Sequence, residues 1–549
     1  MLTASGPLLS VDVGEREATT TSVDDLLEEY LGGRALGTKL AHDRIPFDAD
    51  PLGPENRVVF TTGPLQLSQM SFTGRMSLTG LSPLTDGLFT SNAGGYLSRN
   101  FAGTGNAVVE VTGQSDVLLG IHVTDDGVEF EEVQDLEGAT VSRVSEYVSD
   151  RRDLNSENLA TIGPAGENEV RFASVMTFDS RAFGRGGFGA VLGAKNVKFL
   201  SFDGESAPSI DSNEKHTQVH RTAATADDPM KEMGTNAATE FKSDHFSLPT
   251  RYFSETSFEH AAAIGNEGVA EKKYKKGACS MCAFACKLPT RDDETGLETE
   301  GPEFETSFAL GSNCGVGDIV DVMKSNDLCD EYGLDTISAG DTVAAYLASE
   351  DEFGNADLVH DLLEKIAHRE GVGDRLAEGI DRLHDDLDVD NWTVKGLEFP
   401  GHDGRVMHPV ALSYAVANAG ADHMYGRVHQ LTYNGDVPND SLDGAAAVVV
   451  RRENRAAARD SAILCAFGDK DKYVDLADLG DLLETDAETL ANLGDRVITL
   501  ERHFNNRRGM DRDDDRLPYE IPDLEEAIGD YYAARGWRED GIVPESRVP

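Results

Sequence analysis

The chain has 549 residues, and its composition excludes several classes of protein. Its 99 acidic and 49 basic residues give a net charge of -50, which argues against nucleic acid as a partner because phosphate binding needs a basic surface. We expect no membrane span, since no apolar run of about 18 residues occurs, and residues 1–15 lack the features of a signal peptide. Six cysteines are too few for a disulfide framework, which predicts a reducing, cytoplasmic location.

The acidic residues are spread along the whole chain rather than collected in a tail. This pattern is typical of a halophilic protein, because hydrated carboxylates keep the surface soluble in a salt-rich cytoplasm and high ionic strength screens their repulsion. A merely acidic mesophile protein is the alternative, and folding that needs KCl would distinguish the two.

The first 200 residues are rich in glycine, serine, threonine and short β-type runs, which predicts a β-rich domain over 1–205. The predicted strands are 57–62, 107–112, 117–123 and 197–202. Residues 203–240 are polar and irregular, and we interpret them as a domain junction.

Helical periods dominate beyond this junction, and two stretches are clear. One helix is predicted to be capped by Asp357 and to end at Gly371, and the second is predicted to end before Gly509. Their apolar faces are Leu358, Leu362, Leu363 and Ile366 in the first, and Leu490, Leu493, Val497 and Phe504 in the second. We interpret both faces as core.

Four cysteines form the most informative pattern in the chain, namely Cys279, Cys282, Cys286 and the distant Cys465. Three thiolates spaced C-x2-C-x3-C can surround one metal centre, and a remote fourth closes the coordination, which is typical of an iron–sulfur cluster. A four-cysteine zinc site is the alternative, although it more often pairs two C-x2-C knuckles. The other two cysteines, Cys314 and Cys329, are expected to be small buried hydrophobes.

A glycine-rich run at 184–189 spells G-x-G-x-x-G, with Asp203 about 20 residues further on as in a dinucleotide fingerprint. The next β-type run begins at 197, which leaves no room for the helix that must follow, so we do not expect nicotinamide binding. The run can still bind phosphates through backbone N–H groups and the cations of Arg181 and Arg185.

Other polar segments offer candidate ligands and catalytic groups. The loop 91–95 is either a turn or a source of Asn92 as an oxygen ligand for a hard cation. A carboxylate from 300–305 and the imidazole of His423 could exchange protons near neutral pH, although such residues are often structural. The segments 330–335 and 460–465 are similar to each other, and the second ends in Cys465, which predicts a loop beside the cluster.

These pieces, in this order, resemble the aldehyde ferredoxin oxidoreductase family of tungsten–pterin enzymes. The resemblance runs nearly end to end and is weakest over 203–270. The matching segments are GGRALGTKL at 32–40, SPLTDGLFTSNAGGY at 82–96, RGGFGAVLGAKNVK at 185–198, the cysteine run, EGPEFET at 300–306, LCDEYGLDTIS at 328–338, KGLEFPGHDGR at 395–405, ALSYAVANAGADH at 411–423, LERHFNNRRG at 500–509 and RGWREDG at 535–541.

The resemblance implies an α+β fold. The β-rich pterin-binding domain, 1–205, would form a base of two sheets, and two mostly α-helical domains, 206–400 and 401–549, would cover it. The implied cofactors are a [4Fe–4S] cluster and two pterins that hold one tungsten, or molybdenum, with magnesium bridging the pterin phosphates. A homodimer is a further expectation of the family.

The resemblance also assigns residues to these cofactors. Cys279, Cys282, Cys286 and Cys465 correspond to the cluster ligands, and Asn92 with the carbonyl of Ala182 corresponds to the magnesium site. The implied pterin contacts are Arg75, Asn92, Gly94, Gly95, Arg181, Ala182, Arg185, Gly186, Asp330, Gly333, Leu334, Asp335, Asp460 and Leu464. Two residues depart from the family pattern: Ile463 stands where glycine is expected, and Ala419 stands where relatives commonly carry arginine.

The implied activity is oxidation of an aldehyde to the carboxylic acid, with electrons leaving one at a time through the cluster to ferredoxin. We expect Glu303 as the base, with Glu305 as the rival within the same motif, and His423 as the partner. The basic run 272–276 either docks an acidic ferredoxin or is a solvated loop. The alternatives are a reductase component of the same family for another low-potential substrate, and a zinc-scaffolded binding protein without catalysis.

Overall fold

The computed structural model describes residues 1–178, 180–210 and 212–549. Up to residue 202 the chain forms two sheets with short helices between their strands. The strands are β1 Leu8–Asp12, β2 Glu17–Thr21, β3 Val58–Thr61, β4 Arg75–Leu81, β5 Leu88–Gly94, β6 Val108–Thr112, β7 Leu119–Thr124, β8 Gly127–Glu132, β9 Leu159–Thr161, β10 Val175–Thr177, β11 Arg181–Phe183 and β12 Val197–Phe202. The helices are α1 Asp24–Tyr30, α2 Gly33–Arg44, α3 Leu97–Gly103, α4 Val141–Arg151, α5 Pro164–Glu167 and α6 Phe188–Ala194.

The strand order is β2-β1-β6-β3-β4-β5 in the first sheet and β11-β10-β9-β12-β7-β8 in the second. β1 pairs with β6 in parallel and β12 pairs with β7 in parallel, whereas the other named pairs in these sheets are antiparallel. Strands such as β3 and β12 are buried along their whole length, so both faces of the sheets are covered. The predicted β-rich first part and its predicted strands are confirmed.

Beyond residue 202 helices dominate, as predicted. They are α7 Glu214–Thr225, α8 Met230–Met233, α9 Thr239–Asp244, α10 Ala261–Ile264, α11 Asn266–Lys272, α12 Phe304–Thr306, α13 Ile319–Tyr332, α14 Thr336–Glu350, α15 Ala356–His368, α16 Val372–Leu376, α17 Ile380–Leu387, α18 His408–Val416, α19 His423–Gly426, α20 His429–Asn434, α21 Ala445–Ala462, α22 Leu476–Leu483, α23 Ala487–Arg507 and α24 Leu524–Arg535. Two hairpins, β13 Pro289–Arg291 with β14 Glu298–Glu300 and β15 Thr393–Val394 with β16 Leu397–Glu398, lie between them.

Shorter helical segments complete the fold. The 3₁₀ segments are Pro64–Leu67, Gln134–Leu136, Ser156–Asn158, Gly234–Ala238, Arg512–Asp514 and Glu545–Arg547, and Ser307–Ser312 is a π-helix. The π-helix follows α12 directly, so the segment that carries the candidate base continues as one helical run. Among the described helices, none is long and apolar enough to cross a membrane.

The interpretation of 203–240 as an irregular junction is wrong from residue 214 onward. α7 begins at Glu214 because the side chain of Asn213 accepts a hydrogen bond from the backbone N–H of His216. Val219 and Ala223 are buried one turn apart on this helix, and such a sparse apolar stripe is easily missed in a polar segment.

The helix predicted from Asp357 begins slightly earlier. Asn355 is its cap, since its Oδ1 accepts a hydrogen bond from the N–H of Leu358 at 3.2 Å, and the helix ends at His368 with Arg369 in the left-handed conformation. Leu358 is only partly buried, and Val359 occupies the core in its place. The second predicted helix, α23, is confirmed and ends at Arg507.

The glycine-rich run at 184–189 does leave room for a helix, which corrects the sequence argument. α6 follows Gly187 and reaches Ala194 before β12 begins. Gly187 has φ of 72°, and a Cβ there would collide with the carbonyl of Arg171. The helix has 7 residues, shorter than the crossover helix of a dinucleotide-binding unit, and β12 also pairs antiparallel with β9.

Candidate active site

The four cysteines with cluster spacing meet at one place. Cys279, Cys282, Cys286 and Cys465 line a small cavity of about 30 Å³ together with Phe72. The first three come from a single loop and the fourth follows α21, so distant segments supply one set of sulfur atoms, as the spacing predicted.

Hydrogen bonds fix both cysteine loops onto the first part of the chain. The N–H of Cys465 donates to the carbonyl of Phe72 at 2.7 Å, and the N–H of Ser280 donates to the carbonyl of Gly95 at 3.0 Å. Cys314 and Cys329 are fully buried elsewhere, as expected of small hydrophobes. The cavity therefore lies at the junction between the sheets and the helical part.

Arg75 connects this cavity with the candidate magnesium residue Asn92. Its Nε donates to Oδ1 of Asn92 at 2.5 Å, and its Nη2 donates to the backbone carbonyl of Asn92 at 2.8 Å. A Cβ on Gly94 would lie 3.2 Å from Sγ of Cys279 and 3.3 Å from Nη1 of Arg75. Gly94 thus allows the guanidinium to approach the cysteine closely.

Arg181 and Ala182 lie on β11, which packs against β5, the strand of Asn92. The guanidinium of Arg181 forms a short ion pair with Glu300. Gly95 has φ of 122°, and a Cβ there would lie 3.6 Å from Cγ of Arg181. The implied phosphate contacts are therefore neighbours, whereas Asn92 Oδ1 already accepts from Arg75.

Arg185 joins three segments of the candidate pterin site. Its Nε lies 3.2 Å from Oδ2 of Asp335, and its Nη2 donates to the carbonyl of Glu398 at 2.8 Å. Its Nη1 donates to the carbonyl of Ala421 at 3.2 Å. Gly186 has φ of 97°, and a Cβ there would lie 2.7 Å from the ring of Phe89. Gly186 is therefore not part of this network.

The two similar segments end their helices in the same way. Gly333 follows α13 with φ of 72° and ψ of 53°, and Ile463 follows α21 with φ of 61° and ψ of 44°. In each loop the next residue, Leu334 or Leu464, donates its N–H to a carbonyl of the last helical turn, at 2.8 and 3.0 Å. Ile463 thus adopts the left-handed conformation that glycine favours, at a cost for a β-branched residue.

The buried side chain of Ile463 explains why that conformation is tolerated. Ile463 is fully buried, and a Cβ on Gly63 would collide with its Cγ1, so the side chain fills space that only glycine leaves open. The acidic residues of the two segments differ: burial raises the pKa of Asp330 well above its ordinary value, whereas Asp460 accepts a hydrogen bond from Nε of Arg459 at 2.8 Å.

A second and much larger cavity, of about 1040 Å³, adjoins the cysteine site. Arg75 and Cys465 line both cavities, and Glu303, Glu305 and His423 line the larger one. All three candidate catalytic residues thus face one space that reaches the cysteines.

The two glutamates have different surroundings. Oε2 of Glu303 accepts from the N–H of Thr235 at 3.1 Å and from its hydroxyl group. Oε2 of Glu305 accepts from the N–H of Gly401 at 2.8 Å, and its Oε1 lies 3.5 Å from Nε2 of His423. Within the described residues, Oε1 of Glu305 and Nδ1 of His423 are buried without a hydrogen-bond partner.

Three residues that sequence reasoning missed complete this wall of the cavity, namely Lys242, His402 and His429. Nε2 of His402 lies 3.1 Å from Oε1 of Glu305, and the His402 ring stacks on His429 with centroids 3.9 Å apart. Nζ of Lys242 lies 3.0 Å from Nδ1 of His402 and also donates to the carbonyl of Gly401 at 3.1 Å. His402 lies in the matching segment KGLEFPGHDGR, whereas Lys242 lies where the resemblance is weakest.

Burial controls protonation in this cluster. Desolvation lowers the pKa of His423 to about 4 and lowers the pKa values of His402 and His429 well below the ordinary value. Desolvation also lowers the pKa of Lys242 well below its ordinary value, although Glu305 opposes the change. Neutral imidazoles beside a carboxylate can donate or accept hydrogen bonds, which suits a polar reaction inside a largely buried cavity.

Two family models match almost the whole chain. One, described as aldehyde ferredoxin oxidoreductase, N-terminal domain, matches residues 8–204, and the other, described as domains 2 and 3 of the same enzyme, matches residues 212–548. The chain belongs to the aldehyde ferredoxin oxidoreductase family. The resemblance seen in the sequence is thereby confirmed.

Several relatives of this aldehyde ferredoxin oxidoreductase family member cover nearly its full length. Tungsten-containing aldehyde ferredoxin oxidoreductases from Thermococcus kodakarensis and Pyrococcus furiosus are each 32% identical, covering 96% of this chain and 94% of theirs. An aliphatic sulfonate oxidoreductase, WOR-like subunit, from Pyrococcus furiosus is 26% identical over 99% of this chain and 96% of its own length.

A solved structure confirms the α+β fold. The active site complex BamBC of benzoyl coenzyme A reductase matches with a TM-score of 0.85, covering 100% of this chain and 96% of that chain at 21% identity. The N-terminal sheets and the helical remainder of this family member therefore form a known architecture.

The family's tungsten–pterin and iron–sulfur cofactors are expected here, and the residues fit them. Burial raises the pKa values of the Cys282 and Cys286 thiols, so these sulfur atoms become thiolates readily only when they bind a metal. Glu305 and His423 line the large cavity, in which the tungsten–pterin group has room, and Nδ1 of His423 is buried without a hydrogen-bond partner among the described residues. The residues fit magnesium less well, because Oδ1 of Asn92 already accepts a hydrogen bond from Nε of Arg75.

Proposed function

We propose that this protein oxidises an aldehyde to the carboxylic acid, RCHO + H₂O → RCOOH + 2 e⁻ + 2 H⁺. The observation that carries the proposal is that Glu305 and His423 meet in a cavity that also reaches Cys465, one of four convergent cysteines. A proton acceptor and an exit for electrons are thus neighbours, which is what this oxidation requires. The same cavity provides the space for an organic substrate.

When bound, the tungsten–bispterin group would supply Lewis-acid activation and accept two electrons, and a [4Fe–4S] cluster on the four cysteines would pass them on singly. Glu305 accepts the proton of the attacking water, and the N–H of Gly401 fixes the orientation of its carboxylate. His423 donates a hydrogen bond to the oxygen on which charge develops. Glu303, the base predicted from the sequence, accepts a hydrogen bond from the N–H of Thr235 and positions this segment.

The remaining parts of the proposal follow the family. Asp330, Gly333, Leu334 and Asp335 would contact one pterin, Asp460 and Leu464 the other, and Arg75, Gly94, Gly95, Arg181, Ala182, Arg185 and Gly186 would lie near the pterins and their phosphates. Magnesium at Asn92 and Ala182, a homodimer, a cytoplasmic location and adaptation to salt stay predictions.

Ferredoxin is the proposed electron acceptor, because a [4Fe–4S] cluster passes single electrons to a one-electron carrier. Lys275 and Lys276 are exposed shortly before Cys279, whereas Lys272 pairs with Asp292 at 3.0 Å. Lys276 pairs with the exposed Glu232. The exposed pair would attract an acidic ferredoxin to the cluster.

Anaerobic assay of the protein purified from its native host tests the proposal. We expect tungsten with about four irons and acid-labile sulfide per chain, and reduction of a viologen dye by aldehydes with formation of the matching carboxylic acid. Zinc as the sole metal would support a scaffold without catalysis. Full metal content with no aldehyde oxidation, but activity on an alkane sulfonate, would favour the chemistry named for the 26% identical relative.

A further inference from the structure

One side of the large cavity, which we call the basic wall, carries arginine and lysine side chains, whereas another side carries the glutamates and histidines. Its lining includes Arg427, Arg452, Arg455, Lys470 and Lys472. Four aspartates, Asp228, Asp436, Asp469 and Asp471, line the same cavity, so what distinguishes this wall in a chain of net charge -50 is that few of its guanidinium groups have a buried carboxylate partner. A concentration of guanidinium groups is well suited to bind carboxylate or phosphate.

Carboxylates do not balance the buried part of this wall. Asp469 is the shared partner: its Oδ1 lies 2.6 Å from Nε of Arg455, and its Oδ2 lies 3.5 Å from Nη1 of Arg459 and 4.0 Å from Nη1 of Arg427. Arg455 also reaches Asp471, but that side chain is 87% exposed and therefore screened by solvent. Arg459 also pairs with Asp460 at 2.8 Å, so Asp469 is the buried carboxylate that Arg455 and Arg427 share, and its distance to Arg427 is the longest.

Arg452 and Arg427 are the least compensated of these cations. Among the described residues, Arg452 has no carboxylate within ion-pair distance, and it donates only to the carbonyls of Gly426 at 3.2 Å and Arg427 at 3.4 Å. Arg427 donates to the carbonyl of Ala466, and its Nε has no hydrogen-bond partner in the described part of the chain although the side chain is 2% exposed. Burying such charges is costly unless a ligand completes their pairing.

The neighbouring arginines also disturb each other's protonation. Burial lowers the pKa of Arg427 to about 9, with Arg459 repelling its charge, and burial lowers the pKa of Arg452 to about 10. Asp469 opposes both shifts but does not cancel them. An anion bound between the two guanidinium groups would restore their ordinary protonation.

Arg427 lies close to the candidate catalytic residue His423. It follows α19, the helix that begins at His423, and its N–H donates to the carbonyl of His423 at 3.2 Å. Both residues line the large cavity. A small molecule with its reacting carbon at His423 can therefore reach Arg427 with a short chain.

We propose that Arg427 and Arg452 bind the terminal oxyanion of the substrate, so that the preferred aldehydes carry a carboxylate or phosphate a few carbons from the carbonyl. The proposal rests on the proposed aldehyde oxidation. The basic wall sets substrate choice, whereas Glu305 and His423 act on the carbonyl group. A neutral aldehyde leaves Arg452 unpaired and binds less well.

The test compares matched aldehydes on the holoenzyme with ferredoxin or a viologen dye. We expect kcat/KM for 4-oxobutanoate or for a phosphorylated three-carbon aldehyde to exceed that for butanal by about tenfold or more. Comparison of the two anions identifies which oxyanion fits. In Arg452→Met the ratio of anionic to neutral aldehyde should fall by about tenfold, and in the exposed control Arg538→Met it should stay unchanged.

Titration calorimetry with succinate gives a second measurement that needs no turnover. Wild-type holoenzyme should bind succinate about tenfold more tightly than Arg452→Met does. Equal affinities, or a wild-type preference for butanal, would overturn the proposal. If Arg452→Met lost tungsten and pterin phosphate, the guanidinium of Arg452 would bind the cofactor and not the substrate. That result would also overturn the proposal. If no aldehyde is oxidised, the proposed function fails, and succinate binding still decides the anion site.

Discussion

Oε1 of Glu305 lies 3.5 Å from Nε2 of His423 inside the large cavity. The carboxylate lies within α12 and the imidazole begins α19, so the pair exists only in the folded chain. Burial keeps His423 neutral near pH 7 and leaves it free to donate a hydrogen bond. This pair is the centre of the proposed chemistry.

Replacing Glu305 with Gln should lower kcat by about 100-fold or more, since general-base catalysis contributes about that much. The amide can still accept from the N–H of Gly401, so the loop should keep its structure. Aldehyde-dependent dye reduction measures the rate, and metal analysis checks that tungsten and iron are retained.

Glu303→Gln is the matched control because Glu303 lines the same cavity but is bonded to Thr235. We expect a loss of less than about tenfold in kcat for this variant, since it removes a positioning contact and not the base. If Glu303→Gln lost more kcat than Glu305→Gln, Glu303 would be the base, as predicted from the sequence.

Gly333→Ala should destabilise the protein more than Gly435→Ala. Both glycines follow a helix in the left-handed conformation, with φ of 72° and ψ of 53° after α13 and φ of 74° and ψ of 18° after α20, so both variants should lose about 1 kcal/mol for that conformation. A Cβ on Gly333 would also lie 2.9 Å from the backbone nitrogen of Gly163, whereas no described atom lies within 4 Å of a Cβ on Gly435. Urea unfolding measures the difference in the free energy of unfolding. Equal losses in the two variants would show that the loop after α13 shifts to accommodate the Cβ without loss of stability.

Reversing the charge of Lys275 and Lys276 together should raise the KM for ferredoxin several-fold, because both side chains are exposed shortly before Cys279 in the chain. The effect should diminish as ionic strength rises. Activity with a viologen dye, which needs no docking surface, is the control for folding, and Lys365→Glu is the control for net charge. An unchanged KM would exclude this surface as the docking site.

Glu398 predicts a pH dependence of stability. Burial raises its pKa from 4.5 to about 7, with Arg185 opposing, so the folded chain keeps a proton that the unfolded chain has lost. The free energy of unfolding should therefore fall between pH 4.5 and 7, by at most about 1.4 kcal/mol per pH unit.

Glu398→Gln removes this proton and should flatten the dependence in that window. The amide can keep the contacts with Ser338 and with the N–H of Ile380. Urea midpoints at constant KCl, compared with those of Glu539→Gln at an exposed position, measure the change. A slope as steep as that of wild type would contradict the assignment.

The sequence predicted those parts of the fold and site whose signal is local. Cysteine spacing predicted that Cys279, Cys282 and Cys286 would act together with Cys465, and short β-type runs predicted strands such as β12 at Val197–Phe202. The sequence favoured Glu303 over Glu305 as the base, but this choice depends on which residue faces His423 after folding, which no local pattern encodes.

Other features depend on contacts that no local pattern encodes. Lys242 lies in a polar stretch without a motif, yet α9 brings it within 3.0 Å of Nδ1 of His402. Ile463 looked incompatible with its loop by residue type alone, but burial of its side chain against Gly63 offsets the strain of its left-handed backbone. Such compensation is visible only in the packed structure.

The most direct test of the account is an anaerobic titration of the oxidised holoenzyme with an aldehyde, followed by electron paramagnetic resonance. We predict that the signal of a reduced [4Fe–4S] cluster appears as carboxylic acid forms, and that Glu305→Gln with full metal content shows neither. Carboxylic acid formed without any reduction of the cluster, or no product from any aldehyde despite full tungsten and iron content, would contradict the account.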